Sequence, residues 1–132
     1  MGRSAAGLAF LVALFSFASV VAQTPGTGSL VLRPIAPEGG RGVSNAALLN
    51  QAEVRAVRVD VEPGGIRNRH SHDDVQFHLF IPISGTMSLE VGSDKPVDLG
   101  PWQAHFIKGS TQHGFRNTGA STATVMEVFV KK

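Results

Sequence analysis

Four histidines are spaced so that neighbouring strands could bring them to one point. His70 and His72 lie two residues apart, His78 follows six residues after His72, and His113 lies far downstream. In a strand, side chains at i and i+2 leave the same face, so His70 and His72 could contact one ion from one side. Neutral imidazole is the commonest side-chain metal ligand, and a chain without cysteine must use nitrogen and oxygen donors. The spacing favours a site for one divalent metal ion, without distinguishing Fe, Mn, Zn and Ni.

The first 22 residues are typical of a cleavable signal peptide. Arg3 supplies a positive charge, and residues 8–22 form an uncharged run rich in leucine, phenylalanine, valine and alanine. The run is shorter than the roughly 20 residues that a membrane-spanning helix needs. Small residues before Gln23 suit a signal peptidase. The sequence therefore predicts cleavage after Ala22, a periplasmic or secreted location, and no membrane attachment of the mature chain.

The remaining residues, 23–132, have the size of one ordinary domain. Arg3 is the only charged residue that leaves with the signal peptide, so the formal net charge falls from +2 to +1. The chain has no basic stripe with interleaved aromatic residues, which makes nucleic acid a poor candidate partner. We expect a small-molecule ligand or substrate instead. We also favour a homodimer, because exposed edge strands need to be covered.

From residue 54 onward, the chain predicts short strands separated by glycine and proline turns. Together with a first strand at 30–35 they make about eight strands, which is typical of a β-sandwich or barrel. Pro82 lies inside one of these runs and predicts an edge strand or a bulge there. The predicted strands are 54–61, 75–83, 87–91, 97–99, 102–107, 114–117 and 123–130.

The segment before residue 54 carries weaker signals. We interpret residues 23–53 as an N-terminal extension with a short strand and a turn, and residues 54–132 as the barrel. Within the extension, 37–42 is rich in glycine and predicts a loop. Residues 45–53 hold the only plausible helical turn of the domain, on consecutive alanines and leucines.

The stretch around the first histidines resembles the first motif of the cupin superfamily. That motif has a glycine, then His-x-His, then a glutamate and, seven residues beyond it, a second glycine. Gly64, His70-Ser-His72 and the turn glycine Gly85 fit this pattern. The glutamate is missing: counting back from Gly85 gives His78, whereas counting forward from the histidine pair gives Gln76.

Residues 100–117 resemble the second motif of the same family, with Gly109 before His113 and Asn117 four residues after it. The usual proline is absent. The two motifs occur in the expected order, separated by one strand and a turn. The chain is therefore similar to small single-domain cupins of the quercetin-dioxygenase-like kind. This resemblance implies an all-β fold, a single jelly-roll (cupin) β-barrel, with one divalent metal ion inside it.

The sequence leaves the fourth metal ligand open beside His70, His72 and His113. Gln76 and His78 are two residues apart, so strand alternation allows both to face inward. An imidazole binds a borderline metal well, whereas a neutral amide oxygen is a weak donor. We therefore favour His78, with Gln76 as the alternative.

The resemblance implies metal-dependent chemistry on a small organic molecule, of the dioxygenase, isomerase or lyase type. The fold alone does not choose among these reactions, and the sequence identifies no catalytic residue besides the metal ligands. Loss of the glutamate should leave a more cationic site that prefers anionic or enolate-like ligands. It also supports the alternative of a non-catalytic periplasmic module that binds a metal or a small ligand. A degenerate barrel without metal is a third interpretation.

Export gives the first testable prediction. Protein secreted by a bacterial host should begin at Gln23, because the apolar run is short and small residues precede that position. Intact-mass measurement of the secreted protein checks this. A membrane-bound product that retains residues 1–22 would contradict it.

Overall fold

The structure is a computed structural model that describes residues 30–132 of the chain. The predicted signal peptide and its cleavage after Ala22 lie outside the described residues and stay predictions. Between Leu30 and Lys132, the structure has no helix that is long and apolar enough to cross a membrane.

The described part of the chain consists of β-strands and one short 3₁₀ turn at Pro37–Gly39, without an α-helix. All strand pairs are antiparallel. The strands are β1 Arg33–Pro34, β2 Gly40–Asn50, β3 Val54–His70, β4 Val75–Ser84, β5 Met87–Val91, β6 Val97–Leu99, β7 His105–Lys108, β8 His113–Asn117 and β9 Ala123–Lys131.

One curled antiparallel sheet contains all of these strands. Its order is β6-β5-β8-β3-β9-β4-β7, and β2 pairs with β3 while β1 pairs with β2. The long strand β3 connects the two halves: its first part pairs with β9 from Val54 to Val61, and its last part pairs with β8 from Ile66 to His70. The predicted all-β fold, a single jelly-roll β-barrel, is confirmed.

Residues 45–53 do not form the predicted helical turn, and that prediction is wrong. They belong mostly to β2, which pairs with β3 as far as the Asn50–Arg55 pair. Val43 and Ala46 bury their side chains against the barrel, whereas Leu48 is 47% exposed. Alanine and leucine favour a helix locally, but the hydrogen bonds and burial that β3 offers outweigh this weak preference.

Apolar side chains that alternate along the strands fill the barrel. Phe80 of β4 and Phe115 of β8 pack together, with ring centroids 5.0 Å apart. Full burial of one such side chain stabilises the fold by roughly 1.5–3 kcal/mol. The core consists of Val43, Val59, Val61, Phe80, Met87, Leu89, Leu99, Ile107, Phe115, Ala123 and Val125.

Pro82 stands where the structure tolerates a residue without an N–H group. The pairing of β4 with β7 ends at Phe80, so Pro82 lies beyond the end of β7. The pairing of β4 with β9 shifts register between Pro82 and Ser84. The carbonyl oxygen of Pro82 accepts a hydrogen bond from the N–H of Trp102 at 2.7 Å. The predicted irregularity at this position is confirmed.

The turn glycine Gly85 provides the second prediction. Gly85 and Gly64 both have left-handed backbones, with φ of +78° and +71°. A Cβ atom on Gly85 would lie 2.6 Å from the Cβ of Ala123, whereas one on Gly64 would meet nothing within 4 Å. Both alanine variants carry the left-handed strain of roughly 1–2 kcal/mol, and only Gly85→Ala adds the steric contact.

We therefore expect Gly85→Ala to lower the free energy of unfolding clearly more than Gly64→Ala, measured by urea denaturation. Equal losses in the two variants would show that the contact with Ala123 relaxes at no cost.

Candidate metal centre

The four predicted histidines arise from three strands and one loop that meet at one end of the barrel. His70 is the last residue of β3, and His113 is the first residue of β8. These two residues lie directly opposite each other in the sheet. His72 follows in the loop before β4, and His78 lies on β4. Strand pairing thus brings the two sequence motifs together.

Hydrogen bonds join the loops of the two motifs. The N–H of Ser110 donates to the carbonyl of His72 at 3.1 Å, and the N–H of Gly109 donates to the carbonyl of Gln76 at 2.7 Å. A Cβ atom on Gly109 would lie 2.1 Å from the carbonyl oxygen of Val75. Glycine at this position of the second motif therefore allows the loop to lie directly against β4.

His113 lies at the centre of the cluster. Its ring centroid is 4.3 Å from that of His70, 5.3 Å from that of His72 and 4.6 Å from that of His78. One ring nitrogen from each of His70, His72 and His113 lies within 4.8 Å of the others. His78 and His113 form a second such group with Glu127. The structure brings all four predicted histidines together.

Backbone carbonyls fix the orientation of two of the rings. Nδ1 of His70 lies 2.9 Å from the carbonyl oxygen of Asn68, and Nδ1 of His113 lies 2.8 Å from that of Thr111. A carbonyl only accepts, so each Nδ1 carries the proton and donates. Each Nε2 then keeps its lone pair for a ligand. Metal-binding histidines typically have such an outer hydrogen bond.

Several buried nitrogens of the cluster have no hydrogen-bond partner. They are Nε2 of His72, both ring nitrogens of His78, and Nε2 of His113. Nearly all buried polar atoms in proteins are paired. Neutral imidazole nitrogens are the donors that borderline divalent metals prefer. The residues present therefore fit a divalent metal ion, which would bind Nε2 of His72, Nε2 of His113 and one of the two ring nitrogens of His78.

Burial keeps the histidines neutral. It lowers the pKa of His70 and His72 to about 4 and that of His78 to about 3, and it also lowers the pKa of His113. The neighbouring imidazoles contribute in the same direction for His70, His72 and His78. A neutral imidazole is the form that binds a metal, so at neutral pH no proton has to be displaced.

Gln76, the alternative fourth ligand, does not reach the cluster. Its side chain is exposed, and its amide nitrogen donates to the carbonyl of Lys131 at 2.9 Å. The pairing of β4 with β9 shifts register between Val75 and Phe77. This bulge interrupts the alternation of side chains, so Gln76 and His78 do not share the inward face that strand alternation allowed them. His78, which is 1% exposed, is the residue that faces inward.

Asn117 and His105 lie outside both ligand groups. Asn117 is buried, and its side-chain nitrogen donates to the carbonyls of Val61 and Ser121 at 2.9 and 2.7 Å. Its side-chain oxygen accepts from the N–H of Gly119 at 2.8 Å. The second-motif asparagine thus stabilises the turn after β8 instead of contacting the cluster.

Glu127 is a site residue that the sequence analysis missed, because it lies outside both motifs. It is 6% exposed, and its Oε1 atom is buried without a hydrogen-bond partner. Burial raises its pKa to about 7. Val125 and Phe129 alternate with it and face inward, so the strand pattern could have identified a buried glutamate. A carboxylate therefore adjoins the cluster although the first-motif glutamate is missing.

A cavity of about 140 Å³ adjoins the cluster at His72 and Glu127. Cavities of about 150 Å³ can admit a benzene-sized molecule. The guanidinium carbon of Arg55 lies 4.5 Å from the ring centroid of Phe129, and Arg55 also pairs with Asp74. The walls consist of Ile35, Val43, Asn45, Arg55, Val57, Val59, Arg67, His72, Phe115, Glu127 and Phe129.

Comparison with known proteins identifies the family. Residues 57–129 match the family profile described as Cupin domain. The match covers more than half of the chain, and the chain therefore belongs to the cupin family. No curated protein matches it.

Solved structures share the fold at low sequence identity. A predicted oxalate decarboxylase from Thermotoga maritima is 20% identical, with a TM-score of 0.73 over 83% of this chain and 100% of that one. The polyketide cyclase RemF from Streptomyces resistomycificus is 19% identical, with a TM-score of 0.68 over 78% and 75%. KdgF from Halomonas sp. is 18% identical, with a TM-score of 0.66 over 77% and 88%. At these identities the likeness establishes the fold alone.

Acid should destabilise the metal-free protein through the histidine cluster, which is the third prediction. The folded-state pKa values lie below the unfolded value of 6.5, so the unfolded chain binds more protons between pH 6.5 and about 4. This stability is present above pH 6.5 and is lost as the pH falls across that window. The raised pKa of Glu127 has the opposite effect on stability between pH 4.5 and about 7. It is one group, however, against four histidines.

The measurement is the urea midpoint of chelator-treated protein as a function of pH. His78→Gln should give a shallower slope than the parent, because glutamine does not titrate. His105→Gln removes a histidine outside the cluster and serves as the control. Identical slopes for the parent and His78→Gln would contradict the prediction.

Proposed function

We propose that this chain is an exported cupin that binds one divalent metal ion through His70, His72, His78 and His113 and uses it as an enzyme. The observation that carries the proposal is the set of buried, unpartnered imidazole nitrogens beside a cavity. The reaction would be of the dioxygenase, isomerase or lyase type, in a quercetin-dioxygenase-like member of the family. The substrate would be a small organic molecule.

A bound divalent metal in such a site supplies polarisation of a substrate oxygen or, if it is iron, activation of O₂. The protein itself orients the histidines that would hold the ion and provides the walls around a substrate. The carbonyls of Asn68 and Thr111 orient two of the imidazoles. Phe115 and Phe129 give the cavity two aromatic walls beside the polar groups of Arg67 and Glu127.

The charges around the cavity support a small anionic substrate, such as a carboxylate or an enolate. Arg55 and Arg67 both line the cavity. Arg67 donates through Nη1 to the carbonyl of Gly39 at 2.8 Å, which anchors its guanidinium. Arginine presents several donors in a fixed plane that suits a carboxylate. Arg55 is already paired with Asp74, so Arg67 is the arginine of the cavity wall that is better placed to contact an anion.

A non-catalytic binding module is the alternative. It is favoured by the replacement of the first-motif glutamate with His78, which makes the four predicted ligands of the motifs all neutral. Such a module would hold the ion or a small anion in the periplasm without chemical turnover.

The metal content of single variants gives the fourth prediction. His70→Ala, His72→Ala, His78→Ala and His113→Ala should each lower metal content sharply, because each removes one donor from the same ion. They should also lose the increase in melting temperature that metal confers on the parent, since binding adds to folding free energy. Elemental analysis after mild purification, with thermal melts, measures both effects.

Gln76→Ala is the matched control, because Gln76 lies on the same strand and faces outward. It should keep the parent's metal content. Full metal content in His78→Ala together with a loss in Gln76→Ala would reverse the assignment of the fourth ligand. A parent protein that takes up no metal would refute the proposed function.

An enzyme would convert its ligand into a product, whereas a binding module would only hold it. O₂ uptake and product formation by the metal-loaded protein, measured with a set of small carboxylates and uncharged analogues, separate the two. Turnover of an anionic compound that the His113→Ala variant lacks supports the enzyme. Saturable binding of the same compounds without turnover supports the module.

A further inference from the structure

A carboxylate reaches the histidine cluster from a strand that belongs to neither motif. Glu127 on β9 lies opposite Phe80 of β4 and Val57 of β3. One of its oxygens and one ring nitrogen each of His78 and His113 lie within 4.8 Å of one another. Two atoms bound to one ion at about 2.1 Å lie at most about 4.2 Å apart. The ligand atoms of Glu127, His78 and His113 therefore need to move only slightly closer together to bind one ion.

Glu127 has no competing partner among residues 30–132. Its Oε1 atom is buried and unpaired, and it takes part in none of the ion pairs there. The acidic residues Asp60, Asp74 and Glu90 each pair with an arginine instead. A buried carboxylate without a partner costs folding free energy. A group that offsets this cost is therefore needed beside Glu127.

A carboxylate beside the ion would offset part of its charge. Four neutral imidazoles provide no negative charge, and Arg67 adds positive charge close to Glu127, whereas Arg55 is paired with Asp74. A divalent cation buried in such surroundings would be largely uncompensated. Within the described part of the chain, Glu127 is the only acidic residue in either group of candidate ligands.

We propose that Glu127 is a direct metal ligand and supplies, from β9, the negative charge that the first motif has lost at the position of His78. This inference rests on the proposed function, because it concerns the same ion. It explains how a chain with a histidine in the glutamate position can hold a divalent cation in a barrel that also contains two arginines.

Binding of Co²⁺ tests the proposal, since its visible absorption spectrum changes with the ligands around the ion. The full chain is freed of metal with a chelator and titrated with Co²⁺ alone. Glu127→Gln keeps the shape of the side chain and removes its charge. Glu62→Gln is the control, because it removes the same charge from an exposed residue outside the ligand groups.

Glu127→Gln should weaken Co²⁺ binding by at least about tenfold, since loss of even an outer partner of a ligand costs roughly 10- to 100-fold. It should also change the Co²⁺ spectrum. The metal-free variant should melt no earlier than the parent, because the unpaired carboxylate is gone. Glu62→Gln should behave as the parent in every respect.

A rescue variant keeps the test decisive if Glu127→Gln folds poorly. Adding His78→Glu to Glu127→Gln returns a carboxylate to the first-motif position, and it should recover Co²⁺ affinity relative to Glu127→Gln alone. An unchanged Co²⁺ spectrum in Glu127→Gln would overturn the inference even if affinity falls, because charge at a distance does not alter the ligands. A parent that binds no Co²⁺ would instead refute the proposed function.

Discussion

The divided pairing of β3 is the constraint on which the rest of the structure depends. One strand of 17 residues pairs with β9 along its first part and with β8 along its last part, while β2 covers its other edge. The register of the second part sets His113 opposite His70. The first part carries Arg55 and Val57 into the cavity wall and places β9, with Glu127, beside β4. The histidine cluster and the cavity are therefore both positioned by β3.

The barrel interior combines stable packing with a costly polar centre. Phe80, Met87 and Leu89 are completely buried and form an ordinary apolar core. At the other end, ring nitrogens of His72, His78 and His113 and one oxygen of Glu127 are buried without a protein partner. Natural proteins depart from complete polar satisfaction mainly at functional sites. The free energy gained from the apolar core explains why a cysteine-free domain can tolerate the cluster. An ion that bound the unpartnered atoms would add to the stability of the domain.

Much of the architecture could be predicted from local patterns, because strands in this chain end at glycine and proline turns. The strands at 87–91 and 97–99 have the predicted bounds, and the gathering of His70, His72, His78 and His113 follows from their spacing and the family resemblance. Their role as ligands stays a prediction, as do the domain boundaries and the homodimer.

The remaining features depend on contacts between distant residues. Residues 45–50 become a strand only because β3 offers them hydrogen bonds, which overrides their helical composition. Gln76 turns outward because a bulge breaks the alternation of β4, and only the pairing with β9 places that bulge between Val75 and Phe77. Glu127 was visible in the alternation of β9, but its neighbours in space come from β4 and β8, and only the folded sheet places it beside the histidines.

The hydrogen bonds that orient His70 and His113 come from main-chain carbonyls two residues upstream. Every amino acid provides that carbonyl, so substitutions at positions 68 and 111 cannot remove the acceptor itself. In many metal sites the same role falls to a carboxylate side chain, which a single mutation can delete. Here the orientation of the two imidazoles is tied to the path of the backbone, so the surrounding surface can diverge in sequence while the geometry of the histidines is maintained.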